Sequence, residues 1–481
     1  MKQTELLGTD GFRAIFEESD KPGAMNPSTI AGLTHALVST QLEANSSGLV
    51  VIGGDTRVFN GQLEQAAVAG AVAAGVKERD VLRLGVAPTP AILRTARQQG
   101  AIAAVALTAS HNPAEYGGWK GTIGADKPTP TQARQIEDRY WEQLKDGLML
   151  PLTYSTRRSP DHLRRYLNDV AEDIETTFGQ KPLLDRLFVV DTAYGAANYA
   201  TPAVLERLGA TVERFANDIS HPINKGAGAT NLAGVQQFLR ERPELVKDSR
   251  FIGALINDGD ADRLLGVGAH LDHTGEMVFS TLDGNRVLEL LAHNELGVVG
   301  TDYTNDASVA RIRQNGTAFE FCRNGDTNVT RALVSHQLEG EDWHLGSEFS
   351  GHHVDLHWLS SGDGVRMAAW IAAHAARHNT TIAALCESLP LFPEKMRTLE
   401  LSPAIGKRII HDPAVAAVFD ATPEDSTQQY RGIYRQSGTE PKFRIWGVAQ
   451  DELYAERRTA QIEKTLALAS QKLKLTIGST K

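Results

Sequence analysis

The sequence predicts an α/β protein made of three similar units followed by a shorter C-terminal domain. At three places an apolar run leads into a short polar turn and then into a helical pattern that ends at glycine: residues 48–75, 187–209 and 297–316. Each pattern is typical of a strand, a turn and a helix, and such units associate through a parallel sheet. Their wide spacing indicates related domains instead of a solenoid, whose repeats are much shorter.

Length and composition limit the classes of protein to which the chain can belong. Its 481 residues are too many for one ordinary core, and 41% hydrophobic with 22% charged residues is typical of a soluble globular protein. With 49 Lys and Arg against 59 Asp and Glu, the net charge is −10. That charge argues against a nucleic-acid partner, although a local basic pocket for phosphate remains possible.

Targeting and redox signals point to the cytoplasm. The N-terminus has no apolar run that resembles a signal peptide, and no later stretch approaches the length of a membrane span, so we expect no membrane partner. The two cysteines, Cys322 and Cys386, have no pairing or zinc-site pattern. We therefore expect a reducing, cytoplasmic location.

Composition also predicts the domain boundaries. Residues 148–161 lack periodicity and carry two prolines, and residues 270–285 read as a hairpin and a turn. A single helical stretch over residues 370–389 ends at Pro390, and residues 391–403 read as a proline-marked linker. These breaks divide the chain into residues 1–158, 159–271, 272–393 and 394–481. The last helical stretch, after Asp451, is amphipathic with mixed charge, which is typical of a helix packed on its own domain.

A serine in the first unit is the first candidate for chemistry. Residues 100–107 are small and apolar enough to form a buried strand, and Pro113 then excludes a helix. Ser110 therefore follows a core strand, with His111 beside it and Lys120 further along. A hydroxyl at this place can be exposed at the carboxyl edge of the sheet, where ligands of open α/β sheets bind. The alternative is a turn serine that bonds to its own backbone.

An acidic motif in the second unit predicts a metal site. Asp258, Asp260 and Asp262 alternate, so an extended loop can bring their carboxylates to one side. Crowded carboxylates repel one another unless a cation neutralises them, and oxygen ligands suit Mg²⁺ or Ca²⁺. An EF-hand is excluded because Arg263 and Ala269 occupy the positions that need glycine and glutamate. An acidic surface turn is the alternative, and Arg263 would lie close to a phosphoryl group at this site.

Two further motifs resemble anion and sugar sites. One combines hydroxyls, free N–H groups and two forked cations that suit a phosphate dianion, without matching a P-loop: Arg435, Ser437, Gly438, Thr439 and Arg444. In the other, Glu348, Ser350 and His352 alternate, so an extended loop presents all three on one side for sugar hydroxyls and a proton donor. A glycine turn near arginines and a structural histidine are the alternatives. Arg13 lies on a glycine-flanked turn near the N-terminus.

Taken together, these motifs resemble the α-D-phosphohexomutase family over nearly the whole chain. The resemblance rests on eight segments: GTDGFR at 8–13, GGDTR at 53–57, PTPAI at 88–92, TASHNP at 108–113, DGDADR at 258–263, SEFSGH at 347–352, GDG at 362–364 and RQSGTEP at 435–441. It implies three similar α/β domains with mixed sheets around a central cleft, plus a smaller C-terminal α+β domain.

The resemblance also assigns roles to residues. It implies a phosphoserine at Ser110, with Mg²⁺ held by the three aspartates and that phosphoryl group. It implies sugar contacts from Glu348 and Ser350, and a phosphate clamp between Arg435 and Thr439, to which Arg444 is added. Proton transfer is expected near Lys120 and His352, with Arg13 beside the phosphoserine, and His111 is included among the catalytic candidates. Arg263 is expected to contact the substrate phosphoryl group.

Two stretches favour the phosphoglucosamine mutase branch of the family. Residues 221–231 resemble that branch's asparagine-rich loop, and Asn324–Asp326 resemble its V-G-D, where phosphomannomutase/phosphoglucomutase relatives often have histidine instead of aspartate. Other positions depart from both branches: Gly117–Lys120 stand for N-G-[IY]-K, Gly346–Glu348 stand for G-G-E, and Phe349 matches neither. The expected reaction is glucosamine 6-phosphate to glucosamine 1-phosphate, with phosphomannomutase/phosphoglucomutase activity as the alternative.

The mechanism expected from the resemblance is a reversible 1,6 phosphoryl shift. Phospho-Ser110 donates its group to the free hydroxyl, a hexose 1,6-bisphosphate reorients, and the other phosphoryl group returns to Ser110. Lys120 would accept the hydroxyl proton if its surroundings lower its pKa, His352 would relay it, and the last domain would move as a hinge. A phosphatase and a sugar-phosphate-binding protein without turnover are the rival functions. The partner is a small-molecule sugar phosphate, and the chain is a monomer or a homodimer.

Overall fold

The computed structural model describes residues 6–8, 10–44, 47–145, 159–409, 411–413, 415, 430–436 and 441–478. Their strands form three five-stranded sheets and one three-stranded sheet. The largest cluster of buried apolar side chains in this part of the chain draws on the first three units, from Val51 through Phe188 to Val298. These three units therefore share a continuous core.

The first sheet has the order β1-β5-β4-β2-β3. Strands β2, β3 and β4 are parallel, whereas β5 is antiparallel to β4 and β1 is antiparallel to β5. Strands β2 and β4 are buried along their whole length, as expected for parallel strands covered on both faces. The elements are β1 Phe12–Ile15, α1 Pro27–Ala44, β2 Val50–Gly54, α2 Asn60–Ala73, β3 Val81–Val86, α3 Thr89–Gln99, β4 Ala103–Leu107, β5 Tyr116–Ile123 and α4 Pro130–Lys145.

The second sheet has the order β10-β9-β8-β6-β7. Strand β6 is parallel to β7 and β8, and β8, β9 and β10 form an antiparallel meander. The elements are α5 Pro160–Phe178, β6 Leu187–Asp191, α6 Ala197–Arg207, β7 Thr211–Phe215, α7 Ala233–Glu241, α8 Pro243–Lys247, β8 Phe251–Asn257, β9 Leu264–Leu271 and β10 Met277–Leu282.

The third sheet has the order β12-β11-β13-β14-β15. Strand β11 is parallel to β12 and β13, and the last two strands are antiparallel additions. The elements are α9 Gly284–Leu291, β11 Gly297–Thr301, α10 Asp306–Gln314, β12 Ala318–Cys322, α11 Asp326–Leu338, β13 Leu345–Ser347, β14 His353–Asp355, β15 Leu359–Gly362, α12 Gly364–Arg377 and α13 Ile382–Ser388.

Helices α12 and α13 follow the third sheet in sequence but pack on the second unit. Helix α13 lies so close to β9 that a Cβ added at Gly268 would be 2.4 Å from the backbone nitrogen of Ala383. The strand therefore needs glycine at this contact. The single helical stretch expected up to Pro390 is in fact two helices, and the second is capped by the Thr381 hydroxyl.

The C-terminal part is an antiparallel sheet of order β16-β18-β17 with helices, which agrees with the expected smaller α+β domain. Its described elements are β16 Glu394–Glu400, α14 Pro403–Ile409, β17 Tyr430–Gln436, β18 Lys442–Ala449 and α15 Glu452–Gly478. Apolar residues of α15, such as Ile462 and Leu466, are fully buried with Phe443 and Ile445 of β18. This packing confirms the amphipathic pattern of the last helix.

The three predicted strand-turn-helix units are confirmed as β2-α2, β6-α6 and β11-α10. Their sheets are mixed and not purely parallel, because each adds antiparallel strands at one edge. Strand β10 lies beyond the boundary expected at residue 271 but pairs with β9, so the change of sheet falls after Leu282. The junction expected near residue 158 lies outside the described residues, and the four-domain division stays a prediction. Among the described helices none is long and apolar enough to cross a bilayer.

Candidate active site

Ser110 lies in the turn that leaves β4, as the sequence predicts, but its side chain is buried instead of exposed. Its backbone has a φ of 51°, in the left-handed region that serine rarely adopts. The hydroxyl Oγ donates a hydrogen bond to Oδ2 of Asp258 at 2.8 Å. The first and second units thus meet at this serine, whose oxygen faces the acidic loop.

A buried arginine supports the serine turn from the first unit. Arg57 donates to the backbone oxygens of Ser110 at 3.1 Å, Asn112 at 2.9 Å and Pro113 at 2.5 Å. Its own position is fixed by Asp55, which accepts from Arg57 Nε at 3.1 Å and from the Thr108 hydroxyl at 2.7 Å. Such supports are needed because a left-handed serine costs about 1 kcal/mol or more.

The three aspartates between β8 and β9 form a buried cluster. One carboxylate oxygen from each of Asp258, Asp260 and Asp262 lies within 4.8 Å of the others. Burial, with repulsion from Asp262 and Asp260, raises the pKa of Asp258 to about 7. Oδ1 of Asp260 is buried and has no hydrogen-bond partner among the described residues. An all-oxygen, negatively charged donor set with an unsatisfied buried oxygen fits a hard divalent cation such as Mg²⁺.

Lys120 lies on β5 and points into this cluster. Its Nζ donates to Oδ2 of Asp260 at 2.7 Å and to Oδ2 of Asp262 at 2.9 Å. Burial alone would lower the pKa of Lys120, but the charges of Asp10, Asp260 and Asp262 outweigh it and raise the pKa well above its ordinary value. The lowered pKa that a proton acceptor needs is therefore not found, because the carboxylates hold the ammonium form.

His352 connects the acidic cluster to the third unit. Its Nε2 is 2.9 Å from Oδ1 of Asp262, and its Nδ1 is 2.7 Å from Oε2 of Glu348. Burial opposes the charged imidazole, yet Asp262 and the hydrogen bond to Glu348 raise the pKa of His352 to about 10. The ring is therefore an imidazolium near neutral pH. Ser350 lies half-buried in the same loop.

Two further side chains lie near Ser110: the neutral ring of His111 and the cation of Arg263. His111 Nδ1 lies 3.3 Å from the Ser110 hydroxyl, and burial with the nearby Arg263 and Arg13 lowers the pKa of His111 to about 3. Because the Ser110 hydroxyl donates to Asp258, a neutral His111 ring that carries its hydrogen on Nδ1 can donate to the Ser110 oxygen. Nε of Arg263 is 3.6 Å from Oδ2 of Asp258, so its cation borders the place where a phosphoryl group on Ser110 would lie.

Arg13 is connected to the acidic site through Asp10, which the sequence motifs did not indicate as a site residue. Arg13 forms an ion pair with Asp10 and donates to the backbone oxygen of Ala109 at 3.4 Å. Asp10 also faces Lys120, 3.5 Å away, and Lys127, 2.8 Å away. Burial would raise the pKa of Asp10, but Lys120, Lys127 and Arg13 hold it well below its ordinary value.

The expected phosphate clamp is described only in part. Arg435 and Arg444 lie opposite each other on β17 and β18, so their two cations belong to one patch of the last sheet. With its amide oriented to suit both neighbours, Asn324 accepts from Arg435 and donates to Oε1 of Glu348, each at 3.2 Å. This contact connects the last sheet to the loop that carries Glu348, Ser350 and His352. Ser437, Gly438 and Thr439 lie outside the described residues.

Sequence comparison decides the family. Residues 4–146 match phosphoglucomutase/phosphomannomutase α/β/α domain I, and residues 282–392 match domain III. A phosphoglucosamine mutase from Cronobacter sakazakii is 30% identical over 94% of this chain and 96% of its own length. One from Ralstonia nicotianae is 31% identical over 96% and 99%. The chain belongs to the α-D-phosphohexomutase family. Members of this family are intramolecular phosphotransferases, and so is this enzyme.

Solved structures show that the phosphohexomutase fold is shared over nearly the whole chain. A phosphoglucomutase/phosphomannomutase family protein from Burkholderia thailandensis superposes with a TM-score of 0.75 at 19% identity and covers 98% of both chains. The phosphoglucomutase parafusin from Paramecium superposes with a TM-score of 0.67 at 16% identity, covering 97% of this chain and 95% of its own. The fold is thus retained where most of the sequence has changed.

Three residues near the phosphohexomutase site were missed by sequence reasoning. Asp10 and Thr89 lie inside segments that carry the resemblance, and the Thr89 hydroxyl donates to Oδ2 of Asp260 at 2.8 Å. These two segments indicate the family, but neither predicts a role for Asp10 or Thr89 in the site. Lys127 lies outside every motif and bridges Asp10 to Asp326. Nothing in its sequence surroundings indicates this role.

The departures from the family pattern each have a packing reason. At Gly117 an added Cβ would be 2.6 Å from Cγ of Met25, so a larger residue has no room. Trp119 is buried and donates from its indole to the Thr34 hydroxyl at 3.0 Å, which fastens β5 to α1. Ser347 pairs with the buried ring of His353, whose Nδ1 is 2.8 Å away.

Phe349, which matches neither branch, belongs to an aromatic cluster between its own loop and the last sheet. Its ring centroid is 5.5 Å from that of Tyr303, which in turn lies 5.5 Å from the ring centroid of Trp446 on β18. Arg431 stacks over Trp446 and forms an ion pair with Asp306. The fourth unit is therefore attached to the third through aromatic and charged side chains.

Proposed function

We propose that this phosphohexomutase interconverts glucosamine 6-phosphate and glucosamine 1-phosphate through a phosphoserine at Ser110. The observation that carries the proposal is the 2.8 Å hydrogen bond from the Ser110 hydroxyl to Asp258 of the acidic cluster. A nucleophilic oxygen held against a cation site is the arrangement that phosphoryl transfer requires. The choice of sugar is supported by the curated relatives, which are named phosphoglucosamine mutases, and by residues 221–231.

The aspartates at 258, 260 and 262 would hold Mg²⁺, for which their buried oxygens are suited. When bound, Mg²⁺ would neutralise these carboxylates and the oxygens of the transferring phosphoryl group. Arg263 and Arg13 would supply the remaining positive charge around Ser110 that offsets the negative charge of the aspartates and the phosphoryl group. We infer that these two arginines stabilise the charge that develops during transfer.

The transfer itself conserves atoms and charge. The free hydroxyl of the sugar attacks phosphorus, a bond forms from the sugar oxygen, and the bond between phosphorus and Ser110 Oγ breaks. The attacking hydroxyl gives up one proton and the leaving oxygen of Ser110 takes up one, so the proton count is conserved. Lys120 is the group proposed to carry this proton, which requires that its carboxylate neighbours be neutralised first, because they hold its pKa well above the ordinary value. The hexose 1,6-bisphosphate then reorients, and its other phosphoryl group returns to Ser110 by the reverse chemistry.

The remaining groups bind and orient the sugar. Glu348 and Ser350 would accept and donate hydrogen bonds to its hydroxyls. His352, held as a cation between Asp262 and Glu348, would relay protons. Arg435 and Arg444 would grip the phosphate that is not reacting. A small-molecule sugar phosphate is then the obligatory partner, and we expect a cytoplasmic enzyme that works as a monomer or homodimer.

A substrate panel tests the proposal. The protein would be given glucosamine, mannose and glucose 6-phosphates in turn, with Mg²⁺ and a trace of hexose 1,6-bisphosphate, and each 1-phosphate would be quantified together with inorganic phosphate. We expect glucosamine 6-phosphate to give the highest kcat/KM, and Ser110→Ala to reduce it at least 1,000-fold, whereas Ser19→Ala at an exposed position leaves it unchanged. A higher kcat/KM for mannose or glucose phosphate would refute the sugar, and release of inorganic phosphate would favour a phosphatase.

A further inference from the structure

An asparagine of the second unit grips the serine turn of the first. Asn224 lies in the loop after β7, and its side-chain Nδ2 donates to the backbone oxygens of Ser110 at 2.8 Å and Asn112 at 2.9 Å. Its own backbone is left-handed, with a φ of 64°, and its N–H donates to the Ala193 oxygen at 2.8 Å. The amide is therefore held in place by its own loop.

The same two backbone oxygens are also bound by Arg57 from the first unit, at 3.1 Å and 2.9 Å. Two side chains from different units thus place donors on both sides of His111. Because Ser110 is left-handed, its turn is under strain and keeps its shape only where the surroundings fix it. Arg57 fixes the turn within its own unit, and Asn224 fixes it relative to the second unit.

The acidic loop lies directly against this contact. A Cβ added at Gly259, between Asp258 and Asp260, would be 2.6 Å from the Ser110 oxygen and 3.0 Å from both side-chain heteroatoms of Asn224. The oxygen of Gly259 accepts in turn from the Ala196 N–H at 2.8 Å. The Asn224 amide consequently lies where the serine turn and the acidic loop meet.

We propose that Asn224 is a positioning residue for phosphoryl transfer, which acts by fixing Ser110 against the Asp258–Asp262 loop. This inference rests on the proposed function. Its chemistry requires an –NH₂ group, because both neighbours are carbonyl oxygens that only accept hydrogen bonds. A carboxylate of the same shape would place oxygen against oxygen and push the turn away, and displacements of about 1 Å at a reacting group cost roughly 100-fold in rate.

Two substitutions at Asn224 and one matched control test the proposal. Asn224→Ala removes the donors but leaves Arg57 on the same oxygens, so kcat should fall about 10-fold. Asn224→Asp adds repulsion and should lower kcat about 100-fold, with KM for the sugar phosphate within threefold of wild type. Asn379→Asp changes an exposed asparagine that is also left-handed, with a φ of 45°, and should leave kcat unchanged.

The order of the two variants is the deciding result. If Asn224 only fills space, alanine should be the worse substitution. If its –NH₂ group must face the two carbonyl oxygens, aspartate should be worse, because it places a carboxylate against them. If kcat of Asn224→Asp stays within twofold of wild type, or if alanine lowers kcat more than aspartate, the positioning role is refuted. An inactive wild-type protein without phosphoserine would instead refute the proposed function, so the two failures are distinguishable.

Discussion

Lowering the pH should weaken Mg²⁺ binding through one carboxyl group. Burial and the charges of Asp262 and Asp260 raise the pKa of Asp258 to about 7, so the group is neutral below that pH and ionised above it. A metal that needs the carboxylate must displace the proton, and its apparent dissociation constant rises by the factor 1 + 10^(pKa − pH). Relative to pH 8, the apparent dissociation constant should therefore rise about 10-fold at pH 6 and roughly 90-fold at pH 5.

Four charged or titratable groups around the cluster, Asp262, His352, Lys120 and His111, do not titrate in this window. Asp262 keeps a pKa well below its ordinary value because Lys120 and His352 outweigh its burial. The pKa of His352 is raised to about 10, that of Lys120 lies well above its ordinary value, and that of His111 is lowered to about 3. The pH dependence between 5 and 8 is therefore assigned to Asp258.

Isothermal titration of the metal-free protein with Mg²⁺ provides the assay. At pH 6 it should be repeated in two buffers of different ionisation enthalpy, which gives the number of protons released. We expect close to one proton released per ion at pH 6 and almost none at pH 8. The effect of pH on stability without metal has the opposite direction. Since the folded pKa of Asp258 is raised, the group favours folding at low pH, and this contribution is lost as the pH rises through about 7. An affinity that changes less than twofold between pH 8 and pH 6 would refute the reasoning.

Three substitutions probe other parts of the site. Lys120→Met should lower kcat by about 1,000-fold in the substrate-panel assay, because the proton acceptor is gone, and a loss under tenfold would contradict that role. Phe349→Ala breaks the contact with Tyr303, worth about 1 kcal/mol, and should raise KM about fivefold by loosening the attachment of the last sheet, while an unchanged KM would argue against the attachment. Arg57→Lys cannot reproduce the forked contacts to three backbone oxygens, so thermal denaturation should show a lower Tm and about 2–4 kcal/mol less stability; an unchanged Tm would contradict the support described for the serine turn.

The sequence predicts those parts of the fold that depend on residues close together in the chain. The three strand-turn-helix units follow from apolar runs and glycine stops, and the cluster of Asp258, Asp260 and Asp262 follows from their alternation on one loop. Sheet membership of β10 and the packing of α13 on the second sheet depend on contacts between distant segments. No periodicity in the sequence carries that information.

The electrostatics of the site were the least predictable part. The raised pKa of Lys120 arises from Asp10, Asp260 and Asp262, which approach it only after three segments of the chain have folded together. Asn224 lies in the stretch 221–231 that resembles a loop of the family, but the resemblance gives it no role, because its two partners are backbone oxygens of the first unit. Roles that depend on a partner from another unit need the structure.

The most direct test of the phosphoserine is a pulse and chase followed by intact-mass and peptide mass spectrometry. The protein is first loaded with hexose 1,6-bisphosphate and Mg²⁺, desalted, and then mixed with glucosamine 6-phosphate. Loading should add one phosphoryl group, located on Ser110, and the chase should remove it while glucosamine 1,6-bisphosphate appears in equal amount. A phosphoryl group on another residue, or its recovery as inorganic phosphate, would contradict the account.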